Sequence, residues 1–212
     1  MTEGYELYHG IAREHELVHL GCWAHVRRGF IKAEESVPKA ARPPDLLATR
    51  FITMIGKLFA AEARSATWGP ERRQRLRARY STHILAVLQG MLVDHLSSVV
   101  PSSQLGRALH YMQGQWPKPV RYVENGNWPI SNNLRENAIR PFVIGRKGWL
   151  FSDTVAGAHA SANLYSLVET CKANGIDPYR YLLWLFKKLP LSTTADDFAA
   201  LTPWSMPLAA MP

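Results

Sequence analysis

Apolar residues recur at helical spacing through the middle of the chain. Leu47, Phe51, Met54, Ile55, Leu58 and Phe59 stand three or four apart, predicting an amphipathic helix with Asp45 as its N-cap. Gly69-Pro70 ends that run and starts another. The new segment opens with Arg72, Arg73, Arg75, Arg77 and Arg79, turns apolar at Ile84, Leu85, Leu88, Met91 and Leu92, and stops near Pro101. A third helix is expected from about Ser103 to Gln115, closed by Trp116-Pro117. Further on, Asn174-Gly175 closes a helix whose early small residues, Ala156 to Ala162, permit close packing. Asp177-Pro178 then opens the last helix as N-cap and first turn. That helix carries an apolar surface at Tyr181, Leu182, Trp184, Leu185 and Leu189. Two short stretches read as extended: Leu17 to Cys22 as a buried strand before a helix from Trp23, and Val120 to Val123. The tail from Leu191, punctuated by Pro, Ser and Thr, is expected to lie loosely on the body.

Composition narrows the class. The 212 residues are 47% hydrophobic and include seven Trp, which excludes a disordered polypeptide. Lys and Arg outnumber Asp and Glu by 25 to 17, leaving a net charge of +8. Such an excess suits a polyanionic partner, nucleic acid before an anionic membrane surface. Two cysteines form no disulfide framework, so a cytoplasmic location is expected. The first residues have no basic region followed by an apolar core, and no run approaches the roughly 18 apolar residues of a membrane helix.

One stretch concentrates candidate chemistry. Trp128 to Pro141, followed by Gly145 to Phe151, reads as a helix start with Asn132 and Asn133 as caps and Leu134 and Ala138 on one face, ended by Pro141. Arg135, Arg140, Arg146 and Lys147 surround one carboxylate, Glu136. Two readings of Glu136 compete. As N3 of a capping box on Asn133 it would be structural, with Arg140 four residues on as an ion-pair partner. As a metal-binding carboxylate it would belong to a basic cleft that accepts a polyanion. Spacing does not separate the two. The run Arg72 to Arg79 is likewise either a solvated helix face or a set of DNA-phosphate contacts, which position a protein without reading sequence. Arg27 and Arg28 carry the same pair of readings. His19, Cys22 and His25, spaced by threes, invite a zinc site, but structural zinc takes four ligands and no second cluster supplies the fourth. Cys22 and Trp23 are therefore read as core, and Trp128 and Trp149 as packing residues rather than platforms for bases.

The words Ile130-Ser131-Asn132-Asn133-Leu134-Arg135-Glu136-Asn137-Ala138-Ile139-Arg140-Pro141 and Gly145-Arg146-Lys147-Gly148-Trp149-Leu150-Phe151 resemble the segment around the last acidic residue of the insertion sequence sixty-six family of DDE-type bacterial transposases. The stretches Gly21 to Arg28 and Ser166 to Leu182 resemble the same family, in the right order. The resemblance implies a ribonuclease-H-like core whose three carboxylates hold two magnesium (or manganese) ions, with a helical insertion between the second and third. By that correspondence Glu136 matches the third carboxylate, and Glu3 occupies the position of the second, where the family has aspartate. The first would lie upstream of Met1. The resemblance thus implies Glu136 and Glu3 as catalytic and metal-binding residues. Phosphate contacts would come from Arg27, Arg28, Arg72, Arg73, Arg75, Arg135, Arg140, Arg146 and Lys147.

The expected fold is mainly α with a few short strands, an α+β class holding an incomplete ribonuclease-H-like core with a helical insertion. Residues 1–30 would be partial core, 31–117 the insertion, 118–170 the segment with the last acidic residue, and 171–212 the C-terminal helix and tail. The expected function is that of a transposase, acting on transposon-end DNA and present as a carboxy-terminal fragment inactive alone. The alternative is a non-catalytic module that binds DNA or regulates a full-length transposase. Either that longer protein or a second copy of this chain would be the protein partner.

Overall fold

The computed structural model describes residues 7–207. It divides into two compact units, one up to Leu134 and one from Arg135. The first unit contains α1 (Leu7–Glu14), α2 (Trp23–Glu35), α3 (Leu47–Arg64), α4 (Pro70–Leu76), α5 (Thr82–Leu96) and α6 (Gln104–Gln115). Its core joins Trp23, Val26 and Phe30 of α2 to Phe51, Ile55 and Leu58 of α3, with Leu88 of α5 and Leu109 and Met112 of α6. The Phe30 and Phe51 rings stack with centroids 4.4 Å apart and tie α2 to α3. The indole N–H of buried Trp23 donates to the Pro119 carbonyl at 2.8 Å, satisfying the one polar atom that its burial would otherwise strand.

Local signals predicted several helix ends in this unit, although α3 stops at Arg64 ahead of Gly69 and α5 at Leu96 ahead of Pro101. Gly69 is the N-cap and Pro70 the first residue of α4. The Ser103 hydroxyl accepts the Gly106 N–H to cap α6. The cap of α3 falls at Leu46, one residue beyond the expected Asp45, and no side chain bonds there. Between α4 and α5 the chain stays helical but widens into a π turn, Arg77–Ser81, where buried Arg77 leaves the helix face. Inserted turns of this kind gather at functional or strained positions.

Both predicted extended segments are corrected. No strand forms among the described residues beyond an isolated bridge at Gly21. Of the stretch read as a buried strand, Leu17 and Val18 are exposed, while Leu20 to Cys22 are buried. Val120 to Val123 lies in a 3-10 helix, Pro119–Glu124, opened by proline and anchored by buried Tyr122. Apolar runs this short carry no decisive period, so extended and helical readings compete. Among the described residues the expected sheet of a ribonuclease-H-like core is not seen, and they are mostly helical.

The second unit holds α7 (Asn133–Trp149) from Arg135 onward, with α8 (Val155–Ala173), α9 (Pro178–Lys188) and α10 (Ala195–Ala199). Its small core is Cys171, Ile176, Tyr181, Leu185, Leu201 and Met206. The α8 end is a Schellman motif: Ile176 N–H donates to the Cys171 carbonyl at 2.9 Å and Gly175 N–H to that of Lys172 at 3.2 Å. Gly175 takes φ +69°, where a side chain would be strained. The tail is not loose. Leu201 and Met206 are buried, and the Tyr181 hydroxyl donates to the Leu201 carbonyl at 2.7 Å. The small residues early in α8 are exposed instead of forming a close contact.

Candidate nucleic-acid interface

The stretch around Glu136 forms one helix, α7, and it is longer than predicted. Asn133 is its first residue, so Glu136 falls one position past N3 and the expected capping box on Asn133 is not the arrangement found. Pro141 does not end the helix but lies inside it. Its missing N–H leaves the Asn137 carbonyl without the usual intrahelical donor. Beyond the proline an aromatic cluster fastens the helix to α8. Phe142 and Tyr165 meet edge to face at 5.2 Å, and Trp149 lies 5.9 Å from each. Gly145 makes room for this cluster, since a Cβ there would come within 2.7 Å of the Trp149 ring. The helix stops where Leu150 turns to φ 61°.

Helical spacing sorts the charged residues of α7 onto neighbouring rows. Glu136, Arg140, Val143 and Lys147 follow one row, and Arg135, Ile139, Phe142 and Arg146 follow the next. Four cations and one carboxylate therefore share about half of the helix circumference. The basic groups are exposed and Glu136 is half-buried. Glu136 lies in the first turn and Arg146 and Lys147 in the last, each at the end of the macrodipole that favours its charge. Such a surface offers N–H donors and positive charge to an anion, with one carboxylate of the same helix beside them.

The arginine run proves to be two different things. Arg73 and Arg77, four residues apart, turn inward. The Arg73 guanidinium donates to the carbonyls of Gly126 at 2.9 Å, Ala66 and Trp68 at 3.1 Å, and Ser65 at 3.4 Å. Arg77, 1% exposed, makes a two-bond ion pair with Glu62 at 2.6 and 2.9 Å. It also donates to the carbonyls of Tyr122 at 2.7 Å and Asn125 at 2.6 Å and lies over the Tyr122 ring. These two side chains clamp the loop that leads to Trp128. Gly126 is required there, because a Cβ would collide with the Pro70 carbonyl oxygen. Burial, reinforced by the Glu62 charge, pushes the Tyr122 hydroxyl up to about 12, against smaller opposing effects of Ser81 and Arg77. Arg72 and Arg75 point outward and are exposed. Of the remaining candidates, Arg27 is half-buried on α2. Arg28 is exposed and lines a cleft with Lys32 and Arg107, two cations not singled out from sequence.

Metal ligation does not follow from the described residues. No three His, Cys, Asp or Glu side chains converge among them, so His19, Cys22 and His25 do not close a site. Among the described residues no second and third carboxylate gather around Glu136, and a magnesium pair held by carboxylates does not fit this donor set alone. Glu3 lies outside the described residues. Cys22 and Cys171 are buried thiols, with burial pushing the Cys171 thiol up. Among the described residues no helix is long and apolar enough to cross a membrane.

Comparison with known proteins supplies what geometry does not. A family model described as the transposase IS66 family matches residues 1–160, and one for the IS66 C-terminal element matches residues 166–204. The uncharacterized protein y4qI of Sinorhizobium fredii (strain NBRC 101917 / NGR234) is 30% identical, over 96% of this chain and 38% of its own length. The uncharacterized protein y4jD of the same organism is 25% identical, over 96% of this chain and 40% of its own length. The chain thus spans less than half the length of these curated relatives. No solved structure matches it.

Proposed function

Because the chain belongs to the IS66 family of transposases, we propose that it serves DNA transposition, with α7 lying along the DNA backbone at a transposon end. The observation that carries this reading is the gathering of Arg135, Arg140, Arg146 and Lys147 around Glu136 on one exposed helix. The cations offset phosphate charge, and on this reading Glu136 is a metal-binding carboxylate. It serves a magnesium site that needs carboxylates beyond those gathered among the described residues. The 212 residues alone then bind duplex DNA without cutting it. That no metal-holding group of carboxylates gathers among the described residues also favours a second reading, in which binding without cleavage regulates a full-length transposase.

The test is binding of the purified chain to transposon-end and unrelated duplexes across a salt series. The expected result is a steep fall of affinity with salt, and a slope smaller by about three when Arg140, Arg146 and Lys147 are changed to Gln. Glu136→Gln should tighten binding, since it removes a negative charge from a phosphate-facing surface. Absence of binding at low salt overturns the DNA reading. Magnesium-dependent cleavage by the chain alone, abolished by Glu136→Gln, overturns its silence.

A further inference from the structure

The outward half of the arginine run belongs to a larger surface. Arg72 lies over the Trp68 ring, its guanidinium carbon 4.0 Å from the centroid, and Arg64 of α3 lies 5.5 Å over the Tyr80 ring. Trp68, Arg72, Arg75, Leu76, Arg79 and Tyr80 line one concavity of about 470 Å³. Arg64, Arg72, Arg75 and Arg79 are all exposed, and among the described residues none of them has a carboxylate partner. The nearby Glu62 is already committed to Arg77. Four neighbouring cations with no carboxylate in ion-pair contact among the described residues repel one another, an arrangement that a bound polyanion relieves.

The aromatic rings add orientation to charge. A guanidinium stacked on a ring keeps its N–H donors at its edge, directed away from the ring and open to an acceptor. Ring contacts that restrain these two arginines reduce the freedom lost when their forks close on phosphate oxygens. From this we infer that the surface formed by Arg64, Trp68, Arg72, Arg75, Arg79 and Tyr80 is a second phosphodiester-binding site, separate from α7, that takes the backbone of duplex DNA. The inference rests on the transposition reading for the identity of the polyanion; the geometry itself calls only for an oxyanion. It divides one arginine run by function: Arg73 and Arg77 hold the fold, while Arg72, Arg75 and Arg79 face the ligand.

The experiment compares duplex binding by the full chain with that of Arg64→Gln/Arg72→Gln/Arg75→Gln/Arg79→Gln, across the same salt series. The expected result is at least tenfold weaker binding at about 0.1 M salt and a log–log slope smaller by about three to four. The thermal midpoint should not fall, because all four side chains are exposed and their mutual repulsion is removed. Arg72→Lys should keep the slope but weaken binding several-fold, since the stacked fork is lost and the charge is not. If the fourfold variant fails to fold, Arg75→Gln and Arg79→Gln take its place, each lowering the slope by about one. A chain that binds DNA with the slope and affinity unmoved by these changes overturns the second site and leaves the α7 reading intact. Sensitivity here, with none to the α7 changes, sinks the α7 contact and keeps this one. If duplex DNA does not bind at all, both fall.

Discussion

The bundle up to Leu134 and the helix α7 use apolar residues in opposite ways. In the bundle, Phe30, Phe51, Ile55, Leu58, Leu88, Leu109 and Met112 are fully buried, and four helices share them. Along α7 no residue is buried, and Leu134, Ile139, Val143 and Ile144 are exposed, Leu134 by 82%. Both are helices, but packing sustains the first and local bonding with one aromatic clasp sustains the second. The difference teaches that the basic helix α7 is not where this chain keeps its stability. A site helix presented with little packing is free to be shaped by what it binds.

The comparison breaks first at Arg77. Arg77→Ala would leave Glu62 without its partner, along with the Tyr122 and Asn125 carbonyls. It should cost about 3–5 kcal/mol, the range for removing one member of a buried pair. Arg140→Ala on exposed α7 should change stability by less than about 0.5 kcal/mol. Thermal unfolding of the two variants measures the contrast; equal losses would mean that α7 shares the bundle's energetics.

Pro141→Ala sharpens it from the other side. Proline inside a helix is disfavoured by up to about 3 kcal/mol against alanine, so the change should slow amide exchange along α7. Exchange in α3 should not respond. Faster or unchanged exchange in α7 would mean that the proline is accommodated by contacts other than the helix's own.

A smaller effect is confined to alkaline pH. The Tyr122 hydroxyl, pushed up to about 12 by burial, ionises more readily in the unfolded chain, near 10. Folding therefore favours its neutral form, and that contribution is complete below pH 10 and declines as pH rises toward 12. The loss should be about 2 kcal/mol across that window. The difference between wild type and Tyr122→Phe in denaturant unfolding isolates it, and parallel pH profiles would count against it.

What was legible in the sequence was local. Gly69-Pro70, Ser103, Asn174-Gly175 and Asp177-Pro178 mark helix ends with chemistry held within a few residues, and the structure uses each one so. The basic character of α7 was legible for the same reason. The roles of Arg73 and Arg77 were not, because their acceptors at Gly126, Tyr122 and Asn125 lie 45 to 53 residues away. No spacing rule separates such an inward arginine from its outward neighbours. Val120 to Val123 misled because three apolar residues in a stretch of four fit either period, and long-range bonding to Arg77 decided it. Pro141 misled because a proline marks a boundary only where nothing beyond it restrains the chain, whereas Phe142, Trp149 and Tyr165 do.

The widened turn at Arg77–Ser81 has a consequence for how this lineage tolerates changes in length. A π turn houses one residue more than the α-helical path between the same flanks needs. Losing one residue inside it would tighten the turn and leave Ile84, Leu85 and Leu88 pointing where they do now. The same loss between Thr82 and Ile84 would swing them by about 100° and turn the core row toward water. Single-residue gaps among relatives should therefore collect at this turn, and a shorter relative should lack the inward arginine before it lacks the bundle.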